Sequence, residues 1–109
     1  MDGKEIRVRA LQRFLDENPQ VQAKINILPK ARAAALEMSL QELKDQELHR
    51  KYTKHAEALG ISEEELNYQL GLDTEEERQQ ARIERAKQRA ESLGMTWDEY
   101  LDSNPQLRE

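Results

Sequence analysis

The strongest constraint on this chain is punctuation that repeats. Lys54 to Leu66 reads KHAEALGISEEEL and Gln88 to Tyr100 reads QRAESLGMTWDEY, so Ala56, Glu57, Leu59, Gly60 and Glu65 recur as Ala90, Glu91, Leu93, Gly94 and Glu99. Each half of the pattern has a mechanical meaning. Gly60 and Gly94 suit the left-handed conformation that ends a helix, and Ile61 and Met95 are placed to fold back on Ala56 and Ala90 in a Schellman-type contact. The chain then restarts at once. Ser62 and Thr96 are N-cap acceptors for the amide three residues on, Glu65 and Glu99 are their capping-box partners, and Ile61 with Leu66, or Met95 with Tyr100, forms a hydrophobic staple.

The same start signal occurs a third time as Met38, Ser39, Glu42 and Leu43, without a preceding glycine. Asn18-Pro19 adds another start, since asparagine caps well and proline at the first helical position loses no needed donor. Pro29 opens the alanine-rich KARAAALEM, and Asp73-Thr74 followed by Glu75, Glu76 and Glu77 places acid where the helix dipole favours it. Gly71 and Leu72 just before it repeat the stop signal. These marks predict helices over about 4–17, 19–27, 30–37, 39–59, 62–70, 74–93 and 96–102. No strand is expected, because β-branched residues are sparse and no apolar–polar alternation is sustained. The two copies of the punctuation lie one tetratricopeptide length apart, but a long helix alternates with a short one and the repeat covers only its joint, which argues against a solenoid. FLDENPQVQ at Phe14 to Gln22 and YLDSNPQLR at Tyr100 to Arg108 reuse one Asn-Pro joint near both ends.

The expected fold is therefore all-α: a single compact helical domain over 1–109, of six or seven helices with one long central helix and no β-sheet. Its core must be thin, since Ile, Leu, Val and Phe sum to 22 of 109 residues, near the roughly 20% level below which highly charged chains tend not to fold. A domain of this size buries only about two-thirds of its unfolded surface, so a second copy or another protein is expected to supply missing burial. Within the 39–59 helix, Leu36, Leu40 and Leu43 point one way and Leu48, Tyr52, Ala56 and Leu59 another. Two arrangements fit: a straight helix meeting two neighbours, or a bend near Lys44 to Gln46.

RFLDENPQ near the start, PKARAAALEMSLQEL after it, and the ALG and SLG joints leading to MTWDEYLDSN resemble a family of small uncharacterised helical proteins found in pseudomonads and their relatives. The resemblance spans nearly the whole chain. It implies an all-helical cytoplasmic protein and brings no activity, cofactor or functional residue.

Nothing in the sequence fixes a biochemical activity. With no cysteine there is no disulfide scaffold, thiol nucleophile or thiolate metal site. The two histidines, His49 and His55, fall on opposite sides of a continuous helix, which argues against joint metal ligation from it. No phosphate-binding glycine loop, dinucleotide turn, zinc-protease helix or nucleophile elbow occurs. We expect no catalytic residue, cofactor, metal or small-molecule substrate. The first residues carry no signal-peptide stretch and no apolar run approaches a membrane span, so a cytoplasmic location is expected.

Two patches remain as partner-binding candidates. Arg78, Arg82, Arg85 and Arg89 form a ridge beside a narrow seam of Ile83, Ala86, Ala90 and Leu93. It reads either as a docking ridge for carboxylates or phosphates, or as stems along the protein's own core with heads on Glu63, Glu64, Glu65 or solvent. Trp97, Tyr100 and Leu101 share one face of a short helix, which either closes the core or anchors a partner. A protein partner or self-association is the leading expectation. Nucleic-acid binding through the ridge is the alternative, opposed by a net charge of -5.

Overall fold

The computed structural model describes residues 2–107. Among them are seven α-helices and no strand: α1 Gly3–Glu17, α2 Pro19–Asn26, α3 Lys30–Ala35, α4 Leu40–Leu59, α5 Glu63–Gly71, α6 Glu75–Ser92 and α7 Trp97–Ser103, followed by a 3-10 turn, Pro105–Leu107. The all-α expectation and the long helix, α4, are both present.

The caps explain the boundaries. Asp2, Ser39, Ser62, Thr74 and Thr96 each accept a hydrogen bond from the amide three residues on. At α7 the capping box is complete, with Glu99 reaching back to the Thr96 amide. Gly60 and Gly94 lie at φ of 71° and 69°, and the Ile61 and Met95 amides donate to the Ala56 and Ala90 carbonyls at 3.1 and 2.9 Å. The glycine-less joint works the same way. Glu37 takes φ 58° and Met38 donates to the Ala33 carbonyl at 3.1 Å, so a residue with a Cβ carries the left-handed turn.

The Asn-Pro joints differ from a simple N-cap. Asn18 makes no side-chain cap to α2; its Nδ2 donates back to the Phe14 carbonyl at 2.8 Å, and Asn104 does the same to Tyr100 at 2.9 Å. The side chain closes the helix before it, and proline starts the next turn without needing a donor.

Gly71 corrects the expected stop signal. It is the last residue of α5, it is buried, and it is not among the glycines with positive φ. A Cβ there would sit 2.4 Å from the Ile6 carbonyl oxygen, so glycine is needed for the close crossing of α1 over α5. The chain divides into two compact units, Met1–Leu72 and Asp73–Glu109. In the first, α1 packs most extensively on α5, and α4 borders α2, α3 and α5 along its length. Its centre is Ala10, Phe14, Tyr52, Ala56 and Leu66, with Leu11, Val21, Leu48, Ile61 and Leu70 around it. Phe14 meets Tyr52 edge to face at 5.4 Å.

In the second unit α6, α7 and the 3-10 turn close over Ala86, Ala90 and Tyr100, with Met95, Trp97 and Leu107 partly buried beside them. Leu93 departs from the expected seam. It stands 67% exposed because the helix C-cap carries it outside the stripe of Ala86 and Ala90. Leu36 and Leu59, at the ends of α3 and α4, are likewise exposed, while Leu43, Tyr52 and Ala56 are buried.

Candidate functional site

The four arginines of α6 do not behave alike. Arg82 Nη1 donates to Glu75 Oε1 at 2.9 Å and to Gln79 Oε1 at 3.2 Å, and Arg78 Nη1 lies 3.6 Å from the other Glu75 oxygen. Both guanidinium side chains are three-quarters covered, whereas Glu75 itself is largely exposed. The Arg82 hydrogen bond, with Arg78 beside it, holds the Glu75 carboxyl below its ordinary value. Arg85 donates to Gln88 at 3.3 Å, and Arg85 and Arg89 are exposed. The signal for this pairing was present in the sequence: Glu75, Arg78 and Arg82 continue one helical face, three and then four residues apart.

The aromatic pair belongs to the core of its unit. Tyr100 is buried, Trp97 stacks on it at 5.9 Å with the rings 13° apart, and Lys87 Nζ stands 5.7 Å from the Trp97 ring. Trp97 is half-covered by these neighbours, and Leu101 is partly buried. The arginines and the aromatics are thus separate features of α6 and α7.

A polar cluster that the sequence did not announce ties α1, α4 and α5. Arg7 Nη2 donates to His49 Nδ1 at 2.8 Å, which leaves the ring proton on Nε2, 3.9 Å from Glu63 Oε1. Arg7 also approaches Glu63 at 3.8 Å, and Thr53 donates its hydroxyl to that carboxylate. Beneath them the Arg7 guanidinium lies 5.7 Å from the Tyr52 ring, and the Tyr52 hydroxyl donates to Asn67 Oδ1 at 2.7 Å. Burial, reinforced by Glu63 and opposed by Arg7, pushes the Tyr52 phenol up to about 12. The cluster clips three helices together over the core. His55 is elsewhere, its ring 5.2 Å from Phe14.

A charged recess of the first unit lies between α2, α3 and α4. Its floor is Val21, Ile25 and Leu28, one face of α2 and the turn after it, and its volume is about 180 Å³. Lys24 and Arg32 stand on one side, Arg50 and Lys51 on the other. The lone carboxylate there, Glu47, is already engaged: Arg50 donates to it at 2.8 Å and Arg32 approaches to 4.0 Å. The Arg50 hydrogen bond holds the Glu47 carboxyl below its ordinary value, with Arg32 and Lys51 adding to the effect. The recess therefore keeps an excess of positive charge around an apolar floor.

A family model described as a family of unknown function (DUF6388) matches residues 1–105. The chain belongs to this family. No curated protein and no solved structure matches it. DUF6388 supplies no activity, so the chemistry has to come from the surfaces themselves. Among the described residues of this DUF6388 chain, no helix is long and apolar enough to cross a membrane, and no group of three or more His, Asp or Glu is placed to hold a metal.

Proposed function

We propose that this chain is a small protein-interaction or regulatory module with no catalytic step of its own, acting in the cytoplasm of pseudomonads or their relatives. One observation carries the proposal. Across residues 19–36, which hold α2 and α3, only Ala33 is buried, although the stretch contains Val21, Ile25, Ile27, Leu28 and Leu36. Ile27 is 79% exposed. In this stretch Ile27 and Leu36 stand exposed and Val21, Ile25 and Leu28 are only partly covered, which suits it to cover by another protein or a second copy of the chain.

The reading through the arginine ridge draws less support, because Glu75 takes up two of the four guanidinium groups and weakens the field available to phosphates. The test is co-purification from the native host followed by reconstitution of the complex from two purified proteins. Ile27→Ser with Leu36→Ser is expected to abolish that complex while leaving the melting curve unchanged. A chain that remains monomeric at micromolar concentration and reconstitutes with no partner would end the proposal.

A further inference from the structure

Resting on the interaction-module reading, we infer that the recess between α2 and α4 binds an acidic protein segment that inserts one large apolar side chain between flanking carboxylates. Two properties of the recess choose this occupant. The first is size: a volume of about 180 Å³ exceeds the roughly 150 Å³ of an apolar cavity that accepts benzene, so it has room for one phenylalanine or leucine side chain. The second is charge. Lys24, Arg32, Arg50 and Lys51 ring the floor against one carboxylate, Glu47, which two of these cations already hold. A neutral or basic segment would leave that excess unanswered, whereas Asp or Glu on either side of the anchor meets Lys24 and Lys51 directly.

The local structure is suited to adaptation. The α2 helix has no fully buried residue and no side-chain N-cap, and it meets the Phe14 and Tyr52 core through partly buried Val21, so the rest of this wall has room to adjust to a guest. Lys24 is exposed and Lys51 half-covered, which places one cation at the mouth and one at the flank. A second copy of this chain is a poorer fit. Its acidic runs Glu63 to Glu65 and Glu75 to Glu77 sit in first helical turns, Glu63 is tied to Arg7 and Thr53, and Glu75 to Arg78 and Arg82.

The test uses the full chain, isotopically labelled, titrated with a short synthetic peptide of Asp and Glu around one phenylalanine. Amide shifts are expected to concentrate on residues 21–28, 32 and 47–51. Replacing the phenylalanine by alanine is expected to weaken binding about tenfold or more, and each of Lys24→Glu and Lys51→Glu about tenfold at low salt, with the loss shrinking as salt rises. Shifts elsewhere, or equal binding of the alanine peptide or of DNA, would show a general polyanion response and overturn the inference. Self-association abolished by Lys24→Glu would put a second copy in the recess and overturn it as well. If a reconstituted partner still binds the Lys24→Glu, Lys51→Glu double variant undiminished, this site falls while the interaction-module reading stands; if no partner reconstitutes with the wild type, that reading falls first.

Discussion

The two compact units share one grammar and differ in substance. Gly60–Ser62 and Gly94–Thr96 end and restart helices with the same backbone hydrogen bonds, and Asn18 and Asn104 close helices with the same amide contact. What those joints connect is unequal. The first unit gathers Phe14, Tyr52 and Leu66 at its centre, whereas the second has two alanines and Tyr100. Cap chemistry fixes where helices begin and end; buried apolar volume decides how firmly they are held. Charge follows the same division, with 11 basic and 12 acidic residues in 1–72 but 6 and 10 in 73–109.

The contrast breaks most visibly under division. A 1–72 fragment is expected to melt cooperatively, while a 73–109 fragment, shorter than the roughly 40 residues a chain without staples usually needs, is expected to be mostly unfolded by circular dichroism. A sharp melt of the short fragment would erase the distinction. Next, Tyr52→Ala should cost about 3–5 kcal/mol in denaturant unfolding, because it removes the largest fully buried side chain and leaves Asn67 without its donor.

Gly71→Ala follows at about 1–3 kcal/mol, since its Cβ meets backbone and not a movable side chain. Gly60→Ala and Gly94→Ala have open space around them and should cost only the left-handed backbone penalty, about 1–2 kcal/mol each. The smallest effect runs the other way. Glu37→Gly relieves a left-handed residue with a Cβ and should gain up to about 1 kcal/mol, read as a rise in melting temperature.

The alkaline limb sharpens the comparison through Tyr52. Its folded-state value of about 12 lies above the ordinary 10, so the folded protein holds the phenol proton after the unfolded chain has lost it. Stability is complete below pH 10 and falls between pH 10 and about 12. Phenolate absorbance should show a late phase that Tyr52→Phe removes. Glu47 and Glu75 act at the other end. Their values are depressed, so what they contribute is present above the ordinary carboxylate range and is lost as acid protonates them.

Much of the fold was legible because caps and staples are local. Ser62, Thr96, Gly60 and Gly94 declare themselves within a handful of residues. What escaped was non-local. Gly71 does end α5, but as the contact point for Ile6 and not as a left-handed stop, and the Arg7, His49 and Glu63 cluster joins three helices that no window of sequence spans. Helical periodicity put Leu36, Leu59 and Leu93 on apolar stripes without knowing that the stripes end before them. The α2–α4 recess was missed for a related reason. Val21, Lys24, Ile25 and Leu28 have the spacing of an ordinary core-facing stripe, and nothing in it says that the facing α4 would leave the stripe partly open.

The tight crossing of Ile6 and Gly71 also sets an order of events during synthesis. Within its unit α1 is made before the α5 wall that closes on Ile6, because α5 comes at the end of that unit. Until then Ile6 lacks its α5 cover, while Phe14 has α4 to meet. That nascent segment is where a chaperone would take hold, and slowing translation after α4 should lengthen its exposure.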